Sequence, residues 1–363
     1  MEIKKIYIST LLLLSLTCLA QAPANYYNAA SGTGYSLKTQ LYNIIKGHSD
    51  KGYAGLYTTY NTSDRDYFYE DDGSVLDMYS ENPLGTDPYN YTPGNNQCGS
   101  YSIEGDCYNR EHIVPQSVFN EDAPMKSDAH FITPTDGKVN GMRNNYPHGK
   151  VGPTSSYTSS NGSKLGQASN SGYAAGYSGI VFEPIDEFKG DIARMYFYFA
   201  TRYQNEITSW GVSYPMFNGT ATQVFTDTFR NILLEWNQMD PVSAFEVARN
   251  NAIYARQGNR NPFIDDNSYV TMIWGNALSA ETFDAFSSLV IYPNPSRNQR
   301  VTIGSQTQLD EIELFSINGQ LLQRIEKPEP LGATYAIGDL KQGLYLLKLS
   351  VGNQTVTKKI IVE

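Results

Sequence analysis

The chain has 363 residues, which exceeds the usual range of a single domain, so the sequence predicts two folded units and excludes one compact body. Its 40% hydrophobic residues are typical of an ordinary soluble globular protein. A net charge of −10 and a pI near 5.0 argue against tight binding of nucleic acid over the whole surface, so any such contact should be local and salt-sensitive.

Residues 1–20 have the pattern of a secretory signal peptide. Lys4 and Lys5 precede the apolar run 6–16, and small residues follow it. This run is too short for a transmembrane helix, and the residues before Cys18 do not suit a lipoprotein cleavage site. We therefore expect a protein without a transmembrane segment that is secreted or held at the cell surface, by way of the periplasm.

Outside the leader two cysteines remain, Cys98 and Cys107. They lie in a Gly-rich segment of a protein that is bound for an oxidising compartment, so a disulfide between them is predicted. So short a loop would contribute roughly 2–3 kcal/mol. A metal site is the weaker alternative, because the sequence offers no second cysteine pair.

The first predicted element is an amphipathic helix from Ser36 to about Gly47, where apolar residues recur at helical spacing. Turn signals are dense between residues 73 and 105, and the short stretch Ser74–Met78 is the strand candidate there. The approach to Cys98 should therefore be rich in loops.

Three of the chain's 4 histidines lie in the segment 107–150, namely His112, His130 and His148. Cutting a phosphodiester requires a base to activate water, a hard cation and oxygen ligands for that cation. Glu111, His112 and Asn140 offer these groups. The competing interpretation is that the histidines are structural hydrogen-bonding residues.

Local patterns within this segment predict two strands followed by a helix. His112 lies at the end of a strand, and Ala129–Ile132 is predicted as a second strand that ends at residues 133–134. The helix should begin with Thr135 or Asp136 as N-cap. Its spacing places Asn140, Arg143 and Asn144 on one face. Two glycines, Gly137 and Gly141, weaken it by about 1 kcal/mol each, so it needs tertiary support or close packing.

This segment resembles the ββα-metal core of the bacterial endonuclease I family. The family pattern begins with a Glu-His pair followed by Pro, which Glu111, His112 and Pro115 match. It continues with seven further positions, matched by Asp128, His130, Pro134, Gly137, Asn140, Arg143 and Asn144. The likeness extends more loosely over most of residues 35–270.

The resemblance implies His112 as general base, Glu111 and Asn140 as ligands of one Mg²⁺ ion, and Arg143 as a phosphate contact. Mn²⁺ or Ca²⁺ would be the substitutes for Mg²⁺. Since a neutral imidazole is required, activity is expected to fall as the pH drops through about 6.5.

Further substrate contacts are predicted at His130, Asn144 and Lys138, with a purely structural role as the alternative for His130. His148 is expected at the surface or in the substrate groove. Because residues 138–150 contain Lys and Arg but no Asp or Glu, they predict a local positive strip at the site.

Three helices are predicted to dominate the second half of the first domain. They are Asp186 to about Tyr203, Asp227–Met239, and a helix with Asp240 as N-cap, Pro241 at its first position and Gly258 just past its end.

From about Leu289 the pattern changes to short strands, which predicts a small all-β, Ig-like sandwich. The strands are Val301–Ile303, Glu311–Ser316, Leu321–Ile325, Leu344–Ser350 and Val356–Val362, with hairpin turns at 318–319 and 352–353. This tail resembles the C-terminal sorting domain of the type IX secretion system, through residues 292–295, 315–320, 340–345 and 358–362. The alternative is a surface-binding β-module.

The sequence therefore predicts an α+β protein: a leader (1–20), a mainly helical nuclease domain with a ββα-metal core (21–285) and a β-sandwich (286–363). The expected function is that of a monomeric, sequence-nonspecific endonuclease, with DNA and also RNA as substrates and the type IX machinery as partner. The alternatives are a catalytically silent extracellular nucleic-acid-binding protein and a zinc hydrolase that uses His112, His130 and His148.

Overall fold

The computed structural model describes residues 22–275, 289–305, 307–332, 334–351 and 354–363. The chain divides into two compact units, residues 1–276 and 277–363. The predicted leader and the predicted domain boundary at residue 285 lie outside the described residues. Within the described ranges, no helix is both long enough and apolar enough to cross a bilayer.

The first unit mixes helices with two small antiparallel sheets. Its helices are α1 (Gly34–Ile45), α2 (Gly55–Ser63), α3 (Gly137–Arg143), α4 (Lys189–Arg202), α5 (Gln204–Trp210), α6 (Asp227–Met239), α7 (Ala244–Gln257), α8 (Pro262–Asp265) and α9 (Ser268–Trp274). Its strands are β1 (Tyr108–His112), β2 (Ile132–Asp136), β3 (Val151–Thr158), β4 (Lys164–Ala168) and β5 (Ile180–Glu183). β1 pairs with β2, and β3, β4 and β5 form the second sheet in that order.

Helix α4 lies at the centre of this unit, because every one of its residues is buried. A helix that is buried all round must satisfy its polar side chains internally. Arg194 does so through a bidentate pair with Glu246 of α7, at 2.5 and 2.7 Å. The surrounding core is rich in aromatic side chains.

Strands β1 and β2 and helix α3 follow one another closely and position the candidate site. In the register of the two strands, Glu111 faces Thr133 and His112 faces Ile132. Helix α3 begins directly after β2, and its predicted N-cap is confirmed: Asp136 Oδ1 accepts the Val139 N–H at 2.8 Å.

Close packing explains the two glycines of α3. A Cβ atom at Gly137 would lie 2.7 Å from the Tyr101 ring, and one at Gly141 would lie 1.9 Å from the Tyr101 hydroxyl. Any larger side chain would displace that ring. The tertiary support that the helix needs therefore comes from Tyr101.

Most predicted helices are confirmed, and three local predictions are wrong. The predicted helix over 36–47 corresponds to α1, and the one over 227–239 corresponds to α6. The helix predicted over 186–203 is a 3-10 turn (Asp186–Phe188) that leads into α4. Residues 74–78 form no strand beyond a single bridge at Val75, and 129–131 precede β2 instead of belonging to it. Helix α7 has Ser243 as its N-cap, not Asp240.

These differences have local causes. Ser243 and Glu246 form a complete capping box, whereas the Asp240 carboxylate accepts the Gly190 N–H at 2.7 Å and is used in tertiary packing. Asp77 ties residues 77–80 into a turn, since it accepts hydrogen bonds from the Tyr79 N–H and the Ser80 hydroxyl.

The second unit is built of strands: β6 (Val290–Tyr292), β7 (Val301–Gly304), β8 (Glu311–Ser316), β9 (Leu321–Glu326), β10 (Thr334–Ile337), β11 (Gly343–Val351) and β12 (Gln354–Val362). They form a sheet of order β10-β7-β6 and a sheet of order β12-β11-β8-β9. The predicted strands are confirmed to within two residues, while β6 and β10 were not predicted. Of the predicted hairpin turns, 318–319 joins β8 to β9, and 352–353 lies outside the described residues.

Candidate active site

A polar cleft of about 240 Å³ opens beside β1 and α3. Its lining residues are Tyr53, Cys98, Gly99, Asn109, Arg110, Glu111, His112, Pro115, Gln116, Asn140, Arg143, Asn144 and Asn145. The structure thus brings together Glu111, His112 and Asn140, which the sequence predicts as base and cation ligands.

Glu111 is a buried carboxylate with only 1% of its surface exposed. Its Oε1 accepts a hydrogen bond from the Tyr79 hydroxyl at 2.9 Å and pairs with the Arg143 guanidinium, also at 2.9 Å. Oε2 has no hydrogen-bond partner within the described part of the chain, so it is the oxygen that remains for a ligand. Burial raises the pKa of Glu111, against the opposing effects of Arg143 and Tyr79.

The Tyr79 hydroxyl is itself held by His148. Since the carboxylate can only accept, Tyr79 donates to Glu111 and receives a hydrogen bond from His148 Nε2 at 3.0 Å. His148 Nδ1 lies 2.8 Å from the Tyr196 hydroxyl of α4. The expectation that His148 lies at the surface or in the groove is wrong, because its side chain is fully buried. Through Tyr79 it orients the Glu111 carboxylate.

His112 ends β1 and is 5% exposed. Its Nε2 lies 3.2 Å from the Lys126 carbonyl, and a carbonyl can only accept, so Nε2 carries the hydrogen. Nδ1 of the neutral ring therefore keeps the lone pair. Burial lowers the pKa of His112 to about 4, so the ring is neutral at physiological pH.

Asn140 lies on α3 and is half-buried. Its side-chain amide donates to Asn109 Oδ1 at 2.6 Å. Because the amide nitrogen is the donor in this contact, the Asn140 carbonyl oxygen is left as an acceptor for a cation. The Asn109 partner was not predicted from the sequence.

Arg143 is buried, and its guanidinium is bound to the protein. Besides the pair with Glu111, it donates to the carbonyl groups of Tyr146, His112 and Ile113 at 3.0, 2.8 and 2.7 Å. The side chain is 1% exposed. It therefore lies at the base of the cleft and fixes the end of β1, and the positive strip predicted for residues 138–150 does not include its charge.

Arg110 is a charged cleft residue that was not predicted from the sequence. It is half-buried, lies over the Tyr53 ring at 3.5 Å and the Tyr57 ring at 4.4 Å, and donates to the Tyr53 carbonyl at 3.1 Å. Its place two positions before His112 was the available signal, because side chains two positions apart on a strand lie on the same face, and both contact the Tyr53 ring.

Of the three residues predicted as further substrate contacts, one lies at the cleft and two lie away from it. Asn144 is exposed and lines the cleft, whereas His130 and Lys138 are not among its lining residues. His130 Nε2 donates to the Asn259 carbonyl at 3.0 Å, and the ring packs on Tyr198. This placement favours the structural alternative for His130.

The zinc alternative finds no support in the described residues. The only group of three metal-binding side chains found there is acidic and contains no histidine. His112, His130 and His148 each direct a ring nitrogen to a different protein partner.

The predicted disulfide is confirmed. Cys98 and Cys107 are bonded, with their Cα atoms 5.7 Å apart. Cys98 and Gly99 line the cleft, and Cys107 immediately precedes β1. The bond therefore ties one wall of the cleft to the strand that carries Glu111 and His112.

Comparisons with known proteins identify the family of each part of the chain. Residues 33–268 match the family model of Endonuclease I. The extracellular ribonuclease of Bacillus amyloliquefaciens is 32% identical over 260 residues, which cover 69% of this chain and 78% of that protein. The extracellular ribonuclease of Bacillus subtilis (strain 168) is 32% identical over 269 residues, which cover 72% and 83%.

A more distant relative is Endonuclease-1 of Buchnera aphidicola subsp. Baizongia pistaciae (strain Bp), which is 26% identical over 140 residues, 39% of this chain and 46% of that protein. Residues 290–363 match the family model of the secretion system C-terminal sorting domain. The chain therefore belongs to the endonuclease I family and ends in a secretion-system sorting domain.

Proposed function

We propose that the protein is a secreted, sequence-nonspecific endonuclease that hydrolyses phosphodiester bonds of DNA, with RNA as a second substrate. The observation that carries this proposal is the convergence of Glu111, His112 and Asn140 on one polar cleft. Relatives named extracellular ribonuclease support RNA as a substrate and an extracellular site of action, and a relative named Endonuclease-1 supports endonucleolytic cleavage.

His112 is the general base. Its Nε2 is fixed on the Lys126 carbonyl, which leaves the Nδ1 lone pair to accept a proton from the attacking water. The low pKa keeps that lone pair free at neutral pH, while the proton it accepts is stabilised by the negative charge of the bound phosphate.

One divalent cation, Mg²⁺ with Mn²⁺ or Ca²⁺ as substitutes, fits the donors in the cleft. Glu111 Oε2 and the Asn140 carbonyl oxygen are the hard oxygen ligands that such ions prefer, and a site with only two protein ligands leaves room for water and substrate oxygens. When bound, the cation would neutralise charge on the phosphate and on the leaving oxygen.

Positive charge at the cleft is divided between two arginines with different roles. Arg143 is a positioning residue that holds Glu111 and the end of β1, because its donors already have protein acceptors. Arg110, which has no carboxylate partner among the described residues, is placed to contact a phosphate, with Asn144 at the rim of the same cleft.

The proposal extends to the fold and to the route of export. In it, β1, β2 and α3 serve as a ββα-metal core, and the two sheets of the second unit serve as an Ig-like sandwich. The nuclease domain spans 21–285 behind a leader at 1–20, and 286–363 directs the monomeric protein from the periplasm across the outer membrane through the type IX machinery.

Plasmid nicking tests the proposal. The purified protein, stripped with EDTA, should convert supercoiled plasmid and degrade RNA once Mg²⁺ or Mn²⁺ is added, and Zn²⁺ should not replace them. His112→Ala should lower the rate by roughly 10²–10⁴ without changing DNA binding. The matched control is His48→Ala, which lies outside the cleft and should keep the wild-type rate.

The cation ligands are tested separately. Glu111→Ala and Asn140→Ala should each raise the Mg²⁺ concentration needed for half-maximal rate, whereas Asn205→Ala on the exposed face of α5 should not. A protein that binds plasmid but nicks nothing with any of these ions would be the silent binding protein instead. Wild-type turnover by His112→Ala would remove the base assignment.

A further inference from the structure

A second group of carboxylates lies apart from the cleft. Asp66, Glu70 and Glu81 each offer an oxygen, and these oxygens lie within 4.8 Å of one another. Asp66 and Glu81 are each 1% exposed, and Glu70 is half-buried. None of the three lines the cleft. Three acidic side chains held this close in the interior need an explanation, because their charges repel.

The protein offers two of these carboxylates little compensation: burial and Asp66 raise the pKa of Glu70, against the opposing effect of the Glu70 N–H on its own carboxyl. All four side-chain oxygens of Glu70 and Glu81 are buried without a hydrogen-bond partner in the described part of the chain. Across the same residues, no Lys or Arg forms an ion pair with the cluster. A buried carboxylate with neither partner is costly unless a ligand supplies positive charge.

Asp66 differs from the two glutamates because the backbone positions it. It accepts the N–H groups of Phe68 and Tyr69 at 3.1 and 3.0 Å, and that of Glu70 at 3.1 Å. These bonds fold residues 66–70 around the carboxylate and bring Glu70 back towards it. A fourth carboxylate is close by, since Asp87, which accepts the Asn82 N–H at 2.7 Å, adds to the charge around Glu81.

We propose that Asp66, Glu70 and Glu81 bind a Ca²⁺ ion, distinct from the ion of the catalytic cleft. Three atoms no more than 4.8 Å apart can share a centre about 2.8 Å from each, and small side-chain shifts reach the 2.3–2.6 Å of Ca²⁺–oxygen bonds. Ca²⁺ is preferred to Mg²⁺ because it accepts several carboxylates in flexible geometry, whereas Mg²⁺ retains most of its waters.

The ion would brace the segment that supports the catalytic carboxylate. Residues 64–81 form one stretch of chain, and Glu81 follows two positions after Tyr79, whose hydroxyl holds Glu111. Asp77 in the same stretch accepts the Asp136 N–H at the start of α3. Joining Glu81 to Asp66 and Glu70 therefore closes the loop 66–81 just beyond Asp77 and Tyr79, the residues that contact Asp136 and Glu111.

Burial and the neighbouring carboxylates Asp87, Glu70 and Asp66 raise the pKa of Glu81 to about 9. Protons shared among the carboxyl groups are therefore the competing explanation for the cluster. The two explanations differ in their response to Ca²⁺, since only the ion site gains stability when Ca²⁺ is added.

Calorimetry with Ca²⁺ on the EDTA-stripped full chain tests the site, with thermal unfolding followed in parallel. Wild type and Glu111→Gln should both bind Ca²⁺ at this site and unfold at higher temperature with it. Glu81→Gln should bind at this site roughly 10-fold more weakly or worse, because one charged ligand is removed. It should lose this site's share of the shift in unfolding temperature and keep only the share that Ca²⁺ in the cleft contributes. Glu187→Gln is the matched control, an exposed glutamate that contacts Tyr69 but not the cluster.

In EDTA near neutral pH, Glu81→Gln should unfold close to the wild-type temperature, because a carboxyl group with a pKa of about 9 is already uncharged there. If Glu81→Gln fails to fold, Glu70→Gln at the half-buried position takes its place with the same expected results. The proposal is overturned if Ca²⁺ does not shift wild-type unfolding, which is the shared-proton outcome. It is also overturned if Glu111→Gln abolishes all Ca²⁺ binding while Glu81→Gln keeps it. Neither result depends on nuclease activity.

Discussion

Replacing Arg143 by Met distinguishes a positioning role from a phosphate contact. Met retains much of the aliphatic volume and removes every donor of the guanidinium. The change leaves Glu111, whose side chain is 2% exposed, without its cation. It also removes the donor to the carbonyl groups of Tyr146, His112 and Ile113.

The expected loss is large because the pair is buried. Removing one partner of a buried ion pair costs roughly 3–5 kcal/mol, a large part of the 5–15 kcal/mol that stabilises a typical domain. For a unit of this size the unfolding temperature should fall by roughly 6–20 °C. In the double variant Glu111→Gln, Arg143→Met, part of this loss should be recovered, because the amide carries no charge that needs compensation.

Tryptophan fluorescence during urea unfolding measures this loss in the first unit alone. The chain has 3 tryptophans, Trp210, Trp236 and Trp274, and all of them lie there. The matched control is Arg110→Met, at the cleft but without an ion pair. It should cost only about 0.5–2 kcal/mol through its aromatic contacts, while it weakens DNA binding and reduces the salt slope by about 1.

The opposite pattern would refute this assignment. If Arg143→Met unfolded at the wild-type urea concentration, raised KM for DNA and reduced the salt slope by about 1, Arg143 would contact a phosphate, as the family resemblance implies. The guanidinium would then have to leave its protein acceptors when substrate binds.

Three further results are expected. Because burial lowers the pKa of His112 to about 4, kcat/KM on a short substrate should stay level through pH 6.5 and fall only near pH 4, with His112→Ala as the control profile. The lowered pKa of His112 also reduces the free energy of unfolding as the pH falls from 6.5 towards 4, because the unfolded chain binds the proton first. Unfolding measured over the same pH range must therefore show that the fold is intact. Reducing the Cys98–Cys107 bond should lower the free energy of unfolding by roughly 2–3 kcal/mol, and two reactive thiols in the secreted protein would contradict the bond. A chain that ends at Ala285 should keep full activity but not leave its host, and an inactive yet folded truncated chain would show that the tail contributes to the site.

Local signals predicted several boundaries of the elements in the first unit. The end of β1 at His112, the N-cap at Asp136 and the C-terminal Gly258 of α7 all depend on residues within one turn of the feature, so the sequence contains the full cause. At α7 the pattern predicted Asp240 as the N-cap, and this was wrong. Ser243 caps the helix, because the Asp240 carboxylate accepts the Gly190 N–H and the Asp240 carbonyl accepts a hydrogen bond from Arg194 of α4. Both contacts join segments that are distant in the chain.

The roles of the buried polar residues could not be predicted in this way. His148, His130 and Arg143 lie in the same polar segment as His112, and nothing local separates a ring that faces a cleft from one that faces the core. Their partners, among them Tyr79, Tyr196 and Asn259, come from distant parts of the chain. The family pattern therefore marks both the groups that do chemistry and the groups that hold them.

The acidic character of the chain is compatible with a phosphate substrate, because the carboxylate at the cleft is paired with a buried arginine. Glu111 and Arg143 neutralise one another in the interior, so neither contributes a net charge that reaches the substrate. Arg110 is left as the cleft cation without a carboxylate partner among the described residues, and a divalent ion at Glu111 would supply the rest of the positive charge. An ion held there would attract the phosphate as well as assist the reaction. A chain with a net charge of −10 can then bind a polyanion through a local, salt-sensitive contact.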